Sequence, residues 1–182
     1  MAKLLQGDRF PALEAELLYA GKNFITDLFT EPKTVIWALR YIGCTVCRYD
    51  IHMAAKRYSE IQAKGAKIIF MLQSDKNLLQ EELKDSPLPF DIICDPTMKL
   101  YQALDIEPAQ SMEALVGDRL DDLKAKGAAA AAAGFSHGKY EGNEQQLPAM
   151  FIVDKDGIVE KAIYAETIVG LPTLDELLTI LS

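Results

Sequence analysis

The stretch Val35-Ile36-Trp37-Ala38-Leu39-Arg40-Tyr41-Ile42-Gly43-Cys44-Thr45-Val46-Cys47-Arg48 decides the fold, because an apolar run ends in two cysteines three positions apart where a helical pattern begins. Val35 to Leu39 has the composition of a short strand buried on both faces. From Thr45 to Lys64, Cys47, Ile51, Ala54, Ala55, Tyr58 and Ile61 recur at helical spacing, which predicts one long helix. The cysteines therefore fall at a strand-to-helix junction. With Cys44 at the helix start, unpaired backbone N–H groups and the positive end of the dipole stabilise its thiolate, and Arg40 and Arg48 are available to add charge. A thiolate is the form that attacks disulfides and peroxides.

The chain of 182 residues is the length of one domain, 1–182, with enough surface to bury a core without disulfide staples. Its net charge of −8 and the absence of any basic run oppose binding to nucleic acid or an anionic membrane, since phosphate binding needs clustered Lys and Arg. The opening residues lack an apolar signal core, and no apolar run approaches the ~20 residues that span a bilayer. A cytoplasmic location is expected. Three cysteines are too few for a secreted disulfide framework, so a C-x-x-C beside a βαβ pattern reads as redox chemistry. Cys94 ends the apolar run Phe90 to Ile93 and reads as buried and inert.

Outward from the central stretch, Leu13 to Leu18 suggests a short strand, Gly21-Lys22-Asn23 a turn, and Phe24 to Phe29 one helical turn. Ala66 to Leu72 is a β-branched apolar run suited to a central parallel strand. Ser74 or Asp75 can cap a helix to about Lys84, and Phe90 to Cys94 is a further strand. Asp95-Pro96 places a capping residue before a proline at a first helical position. The order β-α-β-α-β-α predicts an α/β fold with helices on a largely parallel sheet.

Residues 107–146 interrupt that rhythm. An amphipathic helix carrying Met112, Leu115, Val116, Leu120 and Leu123 leads into six alanines, Ala128 to Ala133, and then a polar surface loop from Gly138 to Gln146. Such a length suits a lid, an interface arm or a mobile insertion, and the Met112–Leu123 stripe suits packing or a homodimer contact. Leu147 to Asp154, the turn Lys155-Asp156-Gly157 and Ile158 to Ala165 then predict an antiparallel hairpin, and Leu174, Leu177, Leu178 and Leu181 a closing helix after Pro172.

A C-x-x-C at a strand–helix junction, a βαβ half and a later proline opening an antiparallel hairpin together resemble the thioredoxin fold over nearly the whole chain. The resemblance implies a three-layer sandwich, a mixed central sheet flanked by helices, with the insertion placed before the late hairpin. It also implies a cis bond at Pro148, with Leu147-Pro148-Ala149 as the backbone edge that holds a substrate disulfide. More narrowly, Gly7-Asp8-Arg9-Phe10-Pro11 and Phe151-Ile152-Val153-Asp154-Lys155-Asp156-Gly157 are similar to the alkyl hydroperoxide reductase C/thiol-specific antioxidant (AhpC/TSA) superfamily. Arg40 to Arg48 is similar to the peroxiredoxin-like subgroup related to selenoprotein U. By that resemblance Cys44 attacks a peroxide or a disulfide, Cys47 resolves the product, and Leu147 and Pro148 border the substrate; by their own positions Arg48 is a candidate to tune the thiol and Tyr41 a candidate pocket wall, and both join the substrate-binding set. No bound cofactor is implied, and an external thiol system such as thioredoxin or glutathione restores the dithiol. Neither cysteine completes the P-x-x-x-T-x-x-C pattern of true peroxiredoxins: the Pro and Thr positions fall on Trp37 and Tyr41, or on Arg40 and Cys44. Dithiol–disulfide exchange needs only an accessible thiolate and its partner.

Other readings stand beside this one. A zinc site would need Cys94, His52 and His137 as further ligands, without a second C-x-x-C or an H-x-x-x-H, so no metal is expected. The two cysteines could be a buried structural pair. An alternative of a different class is a redox-inactive interaction module on a thioredoxin fold. His52, two helical turns beyond Cys44, reads as packing, Trp37 as core, and His137 reaches the site only if the insertion folds over it.

Overall fold

Side chains along the central strand feed two separate cores: Val35, Trp37 and Leu39 join one apolar cluster, and Ile36 and Ala38 the other. A strand that is apolar at every position is satisfied only by packing on both faces. The computed structural model describes residues 2–182. Among the described residues the strands are β1 (Glu14–Leu17), β2 (Gly21–Phe24), β3 (Lys33–Ala38), β4 (Ala66–Leu72), β5 (Ile92–Cys94), β6 (Ala149–Asp154) and β7 (Val159–Tyr164). They form one sheet in the order β2-β1-β5-β4-β3-β6-β7. β3, β4 and β5 run parallel, whereas β1 pairs with β5, and β6 with β3, in antiparallel fashion. The sheet is thus mixed, as expected.

One face is covered by α1 (Thr45–Lys56), α2 (Tyr58–Ala63), α3 (Lys76–Leu83) and α7 (Leu174–Ile180), which contribute Ile51, Ile61, Leu79 and Leu177 to the first cluster. The other face is covered by the N-terminal segment through Phe10, a 3-10 turn at Ile25–Leu28, and α4 (Lys99–Ala103) through Leu100 and Tyr101. Helix, sheet and a second apolar cover make the three layers.

Several local expectations change. Gly21–Phe24 is the edge strand of the β1–β2 hairpin rather than a turn, because it pairs residue for residue with Glu14–Leu17. The long helix breaks at Arg57, whose φ of −112° and ψ of 23° are not helical, so α1 and α2 are separate. Helix α4 starts at Lys99 rather than beside Pro96, after Met98 in a left-handed conformation, yet Asp95 still accepts from the Lys99, Leu100 and Tyr101 N–H groups. The peptide bond before Pro148 is trans: no cis bond occurs among the described residues. This corrects the expectation carried by the resemblance, and the intrinsic preference of an X-Pro bond runs the same way.

Residues 107–146 form a closed excursion. Pro108 and Gln146 bridge at its base, where the Gln146 amide donates to the Ile106 carbonyl at 2.9 Å. Two helices follow, α5 (Met112–Val116) and α6 (Leu120–Ala132), interrupted at Gly117 where φ is +58°. The alanine run does extend α6, and Lys126 fixes that helix to α1 through Asp50 at 2.6 Å. No helix among the described residues is long and apolar enough to cross a membrane.

Candidate active site

Strand β3 leaves the sheet at Leu39, whose N–H still donates to the Met71 carbonyl at 3.0 Å. The buried Tyr101 hydroxyl lies between the Leu39 carbonyl, 2.5 Å away, and the Met71 carbonyl at 3.0 Å, joining the ends of β3 and β4. Beyond it, the connection after β4 holds the cysteine loop. Gln73 N–H donates to the Arg40 carbonyl at 2.7 Å, and Ser74 Oγ accepts from Ile42 N–H at 2.9 Å. Ser74 stood out in the sequence only as a candidate helix cap, and Gln73 only as a polar residue ending an apolar run.

Cys44 is the N-cap of α1, with extended backbone angles and a sulfur that accepts from Cys47 N–H at 3.4 Å. Arg40 Nη2 donates to the same sulfur at 3.2 Å. Burial pushes the Cys44 thiol up, but the Cys47 thiol hydrogen bond, the Arg40 charge and the helix-start N–H outweigh it and bring it down to about 6. Cys47 moves the opposite way: burial raises it first, and the neighbouring Cys44 adds to that. The pair is polarised into one ready thiolate and one retained thiol. Burial also pushes Cys94 up to about 12, and its sulfur faces the Ile92 carbonyl.

The guanidinium that reaches Cys44 is Arg40's, not Arg48's. Arg48 lies over the Phe135 ring at 5.5 Å, with His52 edge-on to the same ring at 5.1 Å, so both anchor the insertion to α1. Tyr41 is fully buried beneath the insertion, its hydroxyl 3.1 Å from His137 Nε2. Burial first and the Glu144 carboxylate second raise the Tyr41 hydroxyl well above its ordinary range. Pro148 lines a cavity of about 360 Å³ with Trp37, Leu39, Met53 and Ile168, and Cys44 is not among the residues of its wall. The Leu147 carbonyl is already taken by the Gln146 side chain at 3.1 Å.

Segment 135–146 crosses the cysteine loop as an irregular strap. Gly138 N–H donates to the Gly43 carbonyl at 2.8 Å, and a Cβ on Gly43 would stand 2.3 Å from the Lys139 carbonyl oxygen. Glycine is required there by the approach of one backbone to another. Gln73 clasps Asn143 at both backbone groups, accepting from its N–H at 2.6 Å and donating to its carbonyl at 3.2 Å. Arg40 Nη1 donates to the Glu144 carbonyl at 2.8 Å, with the Glu144 carboxylate 3.6 Å away. Under this cover Cys44 is 0% exposed.

In solved structures the same architecture recurs. A cysteine-to-serine mutant of peroxiredoxin 6 from Arenicola marina superposes with a TM-score of 0.68 at 17% identity, covering 98% of this chain and 72% of that one. The yeast mitochondrial 1-Cys peroxiredoxin gives 0.65 at 15%, covering 97% and 74%. Reduced 2-Cys peroxiredoxin from Plasmodium vivax gives 0.66 at 15%, covering 97% and 79%. At these identities the likeness shows the fold, which is thioredoxin-like. Among curated protein sequences none matches significantly. The family model described as AhpC/TSA matches residues 6–162, spanning the strap, the cysteine loop and the sheet beneath them, and the chain belongs to the AhpC/TSA family.

Proposed function

We propose that the protein is a thiol oxidoreductase in which Cys44 is the nucleophile and Cys47 the resolving thiol. The observation that carries this reading is the polarised pair: Cys44 Sγ receives both the Arg40 guanidinium and the Cys47 N–H, and its thiol is brought down to about 6. In the reaction the Cys44 thiolate attacks one sulfur of a substrate disulfide, forming a mixed disulfide and expelling the other sulfur as thiolate. Cys47 then gives up its proton and attacks Cys44, forming the Cys44–Cys47 disulfide and releasing the second substrate thiolate. The substrate is reduced by two electrons and the protein dithiol is oxidised by two. An external dithiol reverses the change, and the yeast relative is described as resolved through glutathione and thioredoxin systems, a class of reductant that suits this chain too.

Family membership supports a second substrate for the same pair, a hydroperoxide. There the thiolate takes an oxygen to become a sulfenic acid, alcohol or water leaves, and Cys47 condenses with the sulfenic acid to give the disulfide and water. Stopped-flow mixing of the reduced protein with a small disulfide, hydrogen peroxide and cumene hydroperoxide tests both. Formation of the Cys44–Cys47 disulfide with any of them, and its loss in Cys44→Ser, is the expected result. Inertness toward all three would sink the proposal and favour an interaction module.

A further inference from the structure

We infer that the surface beneath the strap is a groove for an extended polypeptide, and that the protein's preferred oxidant is a disulfide carried on such a segment. The inference rests on the thiol–disulfide reading above and adds the substrate's form. From Gly138 to Glu144 the strap offers main-chain groups to the surface, beside the Glu141 carboxylate, which accepts from the Asp75 N–H at 2.9 Å, and the Tyr140 ring near Tyr41. Gly43 C=O takes the Gly138 N–H, the Gln73 side-chain amide takes both backbone groups of Asn143, and Arg40 takes the Glu144 carbonyl. Contacts to main-chain groups are indifferent to sequence, so a surface that grips this backbone can grip another. Extended segments docked in this way place their backbone first and their side chains second.

The strap's course brackets the nucleophile. Gly43 directly precedes Cys44, and Arg40, which takes the Glu144 carbonyl with one nitrogen, takes Cys44 Sγ with the other. The Arg40 Nε–H is buried and has no partner among the described residues, leaving a donor beside the thiol for an incoming carbonyl. The two surfaces fit too closely for side chains between them. A Cβ on Gly43 would meet Lys139 O at 2.3 Å, and one on Gly142, where φ is +61°, would meet Gln73 Oε1 at 2.1 Å. The strap is also the piece best suited to leave. His137, Gly138, Lys139, Tyr140, Gly142 and Asn143 are exposed, so few of the strap's own side chains leave a buried position when the segment lifts. The resting molecule is thus self-occupied, with Cys44 charged and closed off until a competing backbone replaces residues 138–144.

The test uses the full chain and an Asn143→Pro variant, which removes the Asn143 N–H from the clasp while leaving every groove residue intact. The probe is an extended decapeptide whose single cysteine is a mixed disulfide with 5-thio-2-nitrobenzoate, followed by release of the coloured thiolate. The variant is expected to react about tenfold faster than the natural chain, the worth of one or two lost hydrogen bonds. Its rate saturates with peptide, falls when the peptide backbone is N-methylated, and is inhibited by a synthetic copy of residues 135–146. A small disulfide without a peptide backbone shows no saturation. Equal unsaturated rates for peptide and small disulfide, or no competition from the strap peptide, overturn the groove and leave the thiol–disulfide reading standing. Failure to react with either disulfide removes both. Reaction with hydroperoxide alone makes the groove a mere cover and overturns the peptide substrate.

Discussion

Arg40 Nη2 donates to Cys44 Sγ at 3.2 Å while Arg40 Nη1 donates to the Glu144 carbonyl at 2.8 Å, so one buried guanidinium joins the thiol to the strap that covers it. Burial works against the charge on Arg40, but the adjacent thiols hold it protonated. Charge, access and helix start are therefore set at a single residue pair.

The first consequence is a pH profile. Alkylation of Cys44 by iodoacetamide should rise as pH climbs through about 6 and level off above it, because only the thiolate reacts and its proton leaves near that value. Arg40→Met removes the opposite charge and should move the rise up by about 1 to 3 pH units, toward an ordinary thiol. A profile unchanged in the variant would assign the lowered value to the helix start and Cys47 alone.

The two cysteines should behave unequally. Cys47→Ser keeps the nucleophile and loses the resolving step, so a mixed disulfide with substrate accumulates and is visible by mass spectrometry of the intact protein. Cys44→Ser leaves a buried thiol held above its ordinary range by burial, and its alkylation near pH 7 should be slower by about tenfold or more.

The Tyr101 hydroxyl, buried between the Leu39 and Met71 carbonyls, is predicted to matter for stability rather than for thiol chemistry. Tyr101→Phe leaves the Leu39 carbonyl without this donor and should cost about 1 to 3 kcal/mol in urea unfolding. The pH midpoint of Cys44 alkylation should stay in place. A variant as stable as the natural chain would show that the ends of β3 and β4 do not depend on that hydroxyl.

Gly43→Ala puts a methyl group 2.3 Å from the Lys139 carbonyl oxygen and should lift the strap. Lys139 is itself exposed, so tryptic cleavage after it reports the change. Cleavage should quicken by about tenfold, as expected if the opened population rises by roughly 1.4 kcal/mol. Unchanged cleavage would mean that the loop, not the strap, absorbs the methyl group.

The local sequence determined a good deal. The unbroken apolar run Val35, Ile36, Trp37, Ala38 and Leu39 specifies a strand buried on both faces, and the spacing of Cys44 and Cys47 at its end places a thiol at a helix start. Asp75 as the cap of α3 and the Lys155-Asp156-Gly157 turn were legible for the same reason: capping and turn chemistry act within a few residues. The break at Arg57 and the pairing of Gly21–Phe24 were not, because each is set by a partner distant in the chain.

The surroundings of Cys44 belong to the tertiary structure. The thiol's charge partner could be Arg40 or Arg48 from the sequence, and only the packing of Arg48 on Phe135, 87 positions away, sends that guanidinium elsewhere. The resemblance offered Pro148 with a cis bond, whereas the fold makes that bond trans and sets Pro148 in the wall of a cavity shared with Trp37 and Leu39. What covers Cys44 instead is a polar, glycine-containing loop about a hundred residues downstream, joined to it by main-chain hydrogen bonds that leave no trace in side-chain identity. Spacing determined that a reactive cysteine stands at a helix start; long-range backbone contacts decided which charge it meets and that it rests under its own chain.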